Sequence, residues 1–194
     1  MSEIVYDFIE APLFEGSSST GTELSYQYLK KKIVLKANYS FVDYKQFAER
    51  NETSDSFSTK NINPVLTKCE NIHLSILKSF NNNHFPIIIG GDHSVAMASI
   101  AAGSETFGID DYAVIYVDGH CDINTEESST SHNIHGMPLA SSLGLCHKTL
   151  QVGPLKRKIY GDNLYILGAR SIDAPEYKIN WVSRFCQTIS SKEL

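Results

Sequence analysis

Two apolar, β-branched runs that stop in loops of aspartate and histidine constrain this chain more than any other feature. Phe85-Pro86-Ile87-Ile88-Ile89 leads into Gly90-Gly91-Asp92-His93-Ser94. Tyr112-Ala113-Val114-Ile115-Tyr116-Val117 leads into Asp118-Gly119-His120-Cys121-Asp122-Ile123-Asn124. Runs of this length and composition, bounded by Gly and Asp, read as buried strands. The loops beyond the C-terminal ends of parallel strands are where open α/β sheets place their active sites. In an extended Asp-x-His-x-Asp, the period of two sets all three side chains on one face. Asp118, His120 and Asp122 are therefore expected to converge, with His93 joining them from the neighbouring strand.

Such a donor set has a chemical preference. Carboxylates with a little imidazole suit hard or borderline ions such as manganese, whereas thiolates favour zinc. Cys69, Cys121, Cys146 and Cys186 form no Cys-x-x-Cys pair, so a structural zinc site is not expected. A lone Asp-x-His after a strand would read equally well as a polar loop. Carboxylates and imidazole at alternate positions, with Gly-Gly-Asp-His on a second strand, favour the metal.

Elsewhere the pattern alternates strand with helix and predicts a parallel α/β sheet. Ile4–Ile9 and Ala37–Tyr44 read as strands, Thr22–Ile33 as a helix with Tyr26, Leu29 and Ile33 on one face, and 45–60 as a polar loop with some helix. Asn63 is the expected N-cap of a helix with Pro64 at its first position. Leu66, Cys69, Ile72, Ile76 and Phe80 follow at helical spacing as its core stripe. Ser94 opens a small-residue helix through Ala102, Met137–Leu145 is another helix, and Leu164–Gly168 another strand. His73, His84 and His147 fall on a helix or in polar loops and carry no expected chemistry.

At 194 residues, 42% of them hydrophobic, the chain is expected to form one domain, 1–194. A net charge of −5 argues against nucleic-acid or anionic-membrane partners. Met1-Ser2-Glu3-Ile4 resembles no signal peptide, and no segment has the roughly 20 apolar residues of a membrane span. Scattered cysteines fit a reducing cytoplasm, the expected location.

The residues from Ile87 to Gly136 resemble the ureohydrolases, and among them the arginase family; the likeness extends loosely from Ile4 to Asp173. It implies a doubly wound parallel α/β sheet of the arginase type and a binuclear manganese centre. His93, Asp118, His120 and Asp122 match the family's ligands: Asp118 would bridge two ions, His93 and Asp122 would serve one, and His120 the other. Such a pair activates water to attack the guanidinium carbon of arginine, releasing ornithine and urea. Asn124, Ser131 and Asn133 match the side chains that hold the substrate's α-carboxylate, and Asp173 the carboxylate facing its α-ammonium. His135 matches a mobile histidine that shuttles a proton to the leaving amine, and Asp122 is carried with it as catalytic. An imidazole pKa near 6.5 suits that task.

The chain also departs from the family pattern. Gly119 stands where an alanine is usual, and His132 where a glycine is common, so His132 would be strained if the site needs a positive φ. No second Asp-x-Asp follows Asp173, and Glu176 and Glu193 read as isolated. The C-terminal part of the family fold is thus expected to be missing, including two strands between Ile87–Ile89 and Val114–Val117. Turnover by this chain alone is not expected unless carboxylates such as Glu126 or Glu127 complete the site. Two alternatives follow: a non-catalytic metal-binding module or subunit of an interrupted ureohydrolase, and an agmatinase-like enzyme. Agmatine, though, has no carboxylate for Ser131 and Asn133. The expected partners are a guanidino substrate, and either further copies of the chain or a complementing C-terminal fragment.

Overall fold

The computed structural model describes residues 3–17, 19–46, 59–176, 178 and 186–190. Most of the loop expected over 45–60, and Glu193, lie outside these residues. The described strands form two parallel three-stranded sheets. One has the order β2-β1-β3, from Asn38–Val42, Val5–Glu10 and Phe85–Ile89. The other has the order β4-β5-β6, from Val114–Val117, Leu164–Ala169 and Cys186–Ser190. β6 carried no expectation from the sequence; it pairs with β5 from Leu164↔Cys186 onward. Within the described residues, β3 is bonded only to β1, and β4 only to β5.

The first sheet is covered on both faces. Phe8, Tyr39 and Phe41 share one face, where Tyr26 of α1 (Ser25–Lys30) meets the Phe41 ring edge-on at 5.9 Å. Asp7, Ile9 and Ser40 face the other way, toward α2 (Ile62–Asn81). Leu66, Cys69, Ile72 and Ile76 of α2 are buried as the spacing requires, with Phe80 packed at their margin. The cap of α2 is Asn61, not Asn63. Asn61 adopts φ 55° and its carbonyl accepts the first helical bond, from Val65 N at 3.1 Å. Pro64 lies within the first turn, where its missing N–H leaves no bond unmade.

α3 (Ala96–Phe107) follows a 3-10 turn, His93–Val95, and ends at Phe107, five residues beyond the expected Ala102, with Gly108 as its C-cap. It packs on α2 and on α4 (Pro138–Ser142), and Ala98, Ala101 and Ala102 are buried there. One hydrophobic core runs from Ile9 and Ala11 of the first sheet, through these helices, to Tyr116, Leu164 and Ile166 of the second. Helices therefore join two sheets whose strands share no ladder. Ile115 and Val117, on the outer side of β4, are 67% and 76% exposed. A cleft of about 510 Å³ runs along this strand, lined among others by Ile100, Phe107, Tyr112 and Ile115.

A buried carboxylate ties the first sheet to its helix. Asp7, 5% exposed, accepts from Ser40 Oγ at 2.5 Å and Ser79 Oγ at 2.8 Å, and pairs with His84 Nδ1 at 3.0 Å. Burial opposes its charge, but these three bonds outweigh it and lower its pKa. Its stabilisation is therefore present above the unfolded carboxylate value, about 3.9, and lost as pH falls through the folded one. Asp7→Ala strands three donors and should cost about 3 kcal/mol in urea unfolding near neutral pH. The difference from wild type should shrink in acid; one that stays constant would contradict the pairing. In amide exchange, β1 should be protected throughout, whereas β4 should exchange rapidly at every amide that points away from β5.

Candidate metal centre

The turn after β3 is made by two glycines with positive φ. A Cβ on Gly91, at φ 83°, would lie 2.6 Å from the Ala11 carbonyl oxygen, so no other residue fits without backbone movement. The chain then turns through Asp92, whose carboxylate accepts from Ser94 N at 3.0 Å and from Gly16 N at 2.9 Å. Asp92 is thus a structural cap that also pins the Gly16 loop. Its neighbour His93 is delivered to the end of β4.

The loop after β4 is not extended. Asp118 N closes the ladder on Leu167 O at 3.1 Å, and Asp118 Oδ1 accepts from His120 N at 2.9 Å, bending the chain at once. Asp122 then adopts φ 47°. The expected single face of Asp118, His120 and Asp122 is therefore split. The Asp118 and Asp122 Oδ2 atoms each lie 2.9 Å from His93 Nδ1. The His120 ring, 63% exposed, lies on the other side of Asp118, with Nδ1 3.4 Å from Oδ1. Among the described residues, His93, Asp118 and Asp122 form the one group able to enclose an ion, with ligand atoms all within 4.8 Å of one another. Two carboxylates against one imidazole nitrogen favour a cation between them. Burial opposes charge on His93, but bonding to Asp122, and the charges of Asp122 and Asp118, outweigh it and raise its pKa. The two aspartates thus favour positive charge on this ring.

Two further groups adjoin the cluster, neither of them evident from the sequence. Tyr116, from β4, donates its hydroxyl to Asp122 Oδ2 at 2.7 Å and lies 2.9 Å from His93 Nδ1, its ring stacked on the imidazole. Glu176, which reads as isolated in the sequence, is 4% exposed and accepts from Ile123 N at 3.2 Å and Asp173 N at 3.0 Å. Burial pushes its pKa up, with help from the charges of Asp173 and Asp122 and against those two bonds. Neither appears as part of a spaced motif; a carboxylate three residues after Asp173 was the only available hint. Glu126 does not join the cluster, because its Oε1 accepts from His147 N at 2.6 Å.

The remaining candidate residues lie along 124–136 and at 173. Asn124 is buried, its Oδ1 accepting from Ser128 Oγ at 2.9 Å. Ser131 Oγ accepts from Asn133 N at 3.3 Å, closing a tight turn. Before it, His132 does take a positive φ, 58°, with its N–H bonded to Ser129 Oγ. His135 donates its backbone N–H to Gly16 O, with Nδ1 also 3.0 Å from that oxygen. Asp173 is exposed. At Gly119, a Cβ would meet the Arg170 guanidinium at 2.8 Å, so the missing methyl leaves that side chain its place.

Because the His93 pKa is raised on folding, its contribution without metal is full below the unfolded value of about 6.5 and lost as pH rises through the folded one. With a chelator present, the stability difference between wild type and His93→Gln should be largest in mild acid and fade toward alkaline pH. A difference independent of pH would show that the ring is not paired with the two aspartates.

The Bacillus subtilis arginase is 40% identical over 130 residues, 66% of this chain and 43% of its own length. The chain thus spans less than half of that relative. The native Bacillus caldovelox arginase structure superimposes with a TM-score of 0.80 at 27% identity, covering all of this chain and 66% of its own. The Entamoeba histolytica arginase, solved with L-ornithine, gives 0.77 at 25% identity, again covering all of this chain and 66% of that one. The model of the arginase family matches residues 10–194, and this chain therefore belongs to the arginase family.

Proposed function

We propose that this chain carries the first metal half and the amino-acid recognition loop of a manganese-dependent arginase, hydrolysing the guanidino group of L-arginine to ornithine and urea. The observation that carries this reading is the 2.9 Å convergence of the Asp118 and Asp122 carboxylates on His93 Nδ1. An oxygen-rich set with one imidazole suits manganese. Such an ion, once bound, supplies Lewis acidity and an activated water. His93 and Asp122 would hold one ion. Asp118 would reach a second through Oδ1, the oxygen that faces His120.

The chain's own groups do the rest. Ser131 and Asn133, with Asn124 held by Ser128, offer neutral donors to the substrate carboxylate. The ornithine-bound relative supports an amino-acid ligand rather than agmatine. Asp173, with Glu176 beneath it, offers negative charge to the α-ammonium. If His135 Nδ1 carries its proton toward Gly16 O, Nε2 is left as the acceptor that takes up a proton and passes it to the leaving amine.

A second reading is favoured by one observation, the edges of β3 and β4 that no strand among the described residues covers. On this reading the chain is a metal-binding subunit, completed by a strand-bearing segment of arginase type that pairs with those edges and adds carboxylates for the second ion.

Three measurements test these readings. Asp118→Ala should abolish manganese binding in calorimetry, whereas His120→Ala should leave one site. Undiminished binding by Asp118→Ala would refute the metal assignment. The purified chain with excess manganese should release almost no urea from arginine, and a C-terminal arginase segment supplied in trans should restore release, from arginine more than from agmatine. Robust release by the chain alone would refute the need for a completing segment.

A further inference from the structure

We propose that Tyr116 is a positioning residue of the metal centre, its hydroxyl holding the Asp122 carboxylate so that Asp122 Oδ2 and His93 Nδ1 face one ion. The inference rests on the metal reading above. Along β4 the side chains alternate: Ile115 and Val117 point outward, and Tyr116, 5% exposed, points into the core beneath the loop. Its hydroxyl meets Asp122 Oδ2 at 2.7 Å and lies 2.9 Å from His93 Nδ1. A phenol has a single proton, and the carboxylate oxygen is the stronger acceptor, so the proton belongs to Asp122. Oδ2 has further lone-pair capacity and can accept this bond while still facing an ion. His93 Nδ1 has only one lone pair and must keep it for the metal.

The backbone explains why such a hold is needed. Asp122 sits at φ 47°, a conformation that a non-glycine residue keeps only when its surroundings enforce it. Two anchors do so: Leu139 N donates to Asp122 O at 3.1 Å, and Tyr116 fixes the side chain. The Tyr116 ring also lies against the imidazole, with centroids 4.6 Å apart and planes at 14°, restraining the tilt of the His93 ring about χ2. One side chain thus orients two ligands that come from different strands. Partners of this kind typically set metal affinity by 10- to 100-fold.

The test compares wild type, Tyr116→Phe and Asp118→Ala by manganese calorimetry and by the electron paramagnetic resonance of the bound ion. Tyr116→Phe keeps the stacked ring and loses only the hydroxyl. It should bind manganese about 10-fold more weakly, with a changed zero-field splitting, while its melting in chelator stays close to wild type. Unchanged affinity and spectrum in Tyr116→Phe, with binding lost in Asp118→Ala, would overturn the role of Tyr116 and leave the metal reading standing. Binding retained in Asp118→Ala would overturn both. Should Tyr116→Phe fail to fold, 3-fluorotyrosine placed at 116 replaces it. Its fluorine resonance should broaden with one equivalent of manganese, and a line that stays sharp at saturation would refute the placement.

Discussion

The contact on which this structure turns is the meeting of the His93 imidazole with the Asp118 and Asp122 carboxylates, each 2.9 Å away. β3 and β4 belong to different sheets and share no backbone bond among the described residues. Their C-terminal ends are nonetheless brought within hydrogen-bond distance. Two carboxylates this close repel, and positive charge between them relieves that repulsion. The two carboxylates favour charge on His93, and a divalent ion would relieve the repulsion more fully. The same contact is thus a fastening between sheets and the natural seat of a cation.

Everything around that contact limits its freedom. Gly91 lets the chain pass against Ala11, and Asp92 draws in the loop containing Gly16, whose carbonyl in turn receives the His135 backbone N–H. The turn that carries His93 and the segment that carries His135 are therefore linked through Gly16. Glu176 closes the opposite side by accepting from Ile123 N, next to Asp122. A change at Asp92 or Gly16 would reach His135 without touching any proposed ligand.

The open edges give the other half of the molecule its character. α2, α3 and α4 build one core across both sheets, yet the outer side of β4 presents Ile115 and Val117 to solvent beside an apolar cleft. Exposed apolar strand edges pair readily with further strands. The loop after β4 is open as well: the His120 ring, 63% exposed, lies 3.4 Å from Asp118 and stands outside the group formed by His93, Asp118 and Asp122. Among the described residues, the unpaired strand edge and the exposed histidine thus both belong to β4 and the loop that follows it.

Much of this was legible in the sequence, because local patterns answer to local physics. β-branched runs ending in Gly and Asp located β3 and β4, the Leu66–Ile76 stripe located the buried face of α2, and residue type and spacing singled out His93, Asp118 and Asp122, which the fold brings together. What the sequence could not decide was direction. His120 shares the spacing of its neighbours but leaves their face, because Asp118 caps its N–H and Asp122 turns left-handed. The start of α2 moved to Asn61 because the preceding turn takes its positive φ there. Tyr116 and Glu176 belong to no spaced motif, and only folding set one beneath His93 and the other beside Ile123. Residue type and period specify what a segment is able to do; burial and hydrogen bonding between distant segments decide which of its side chains meet.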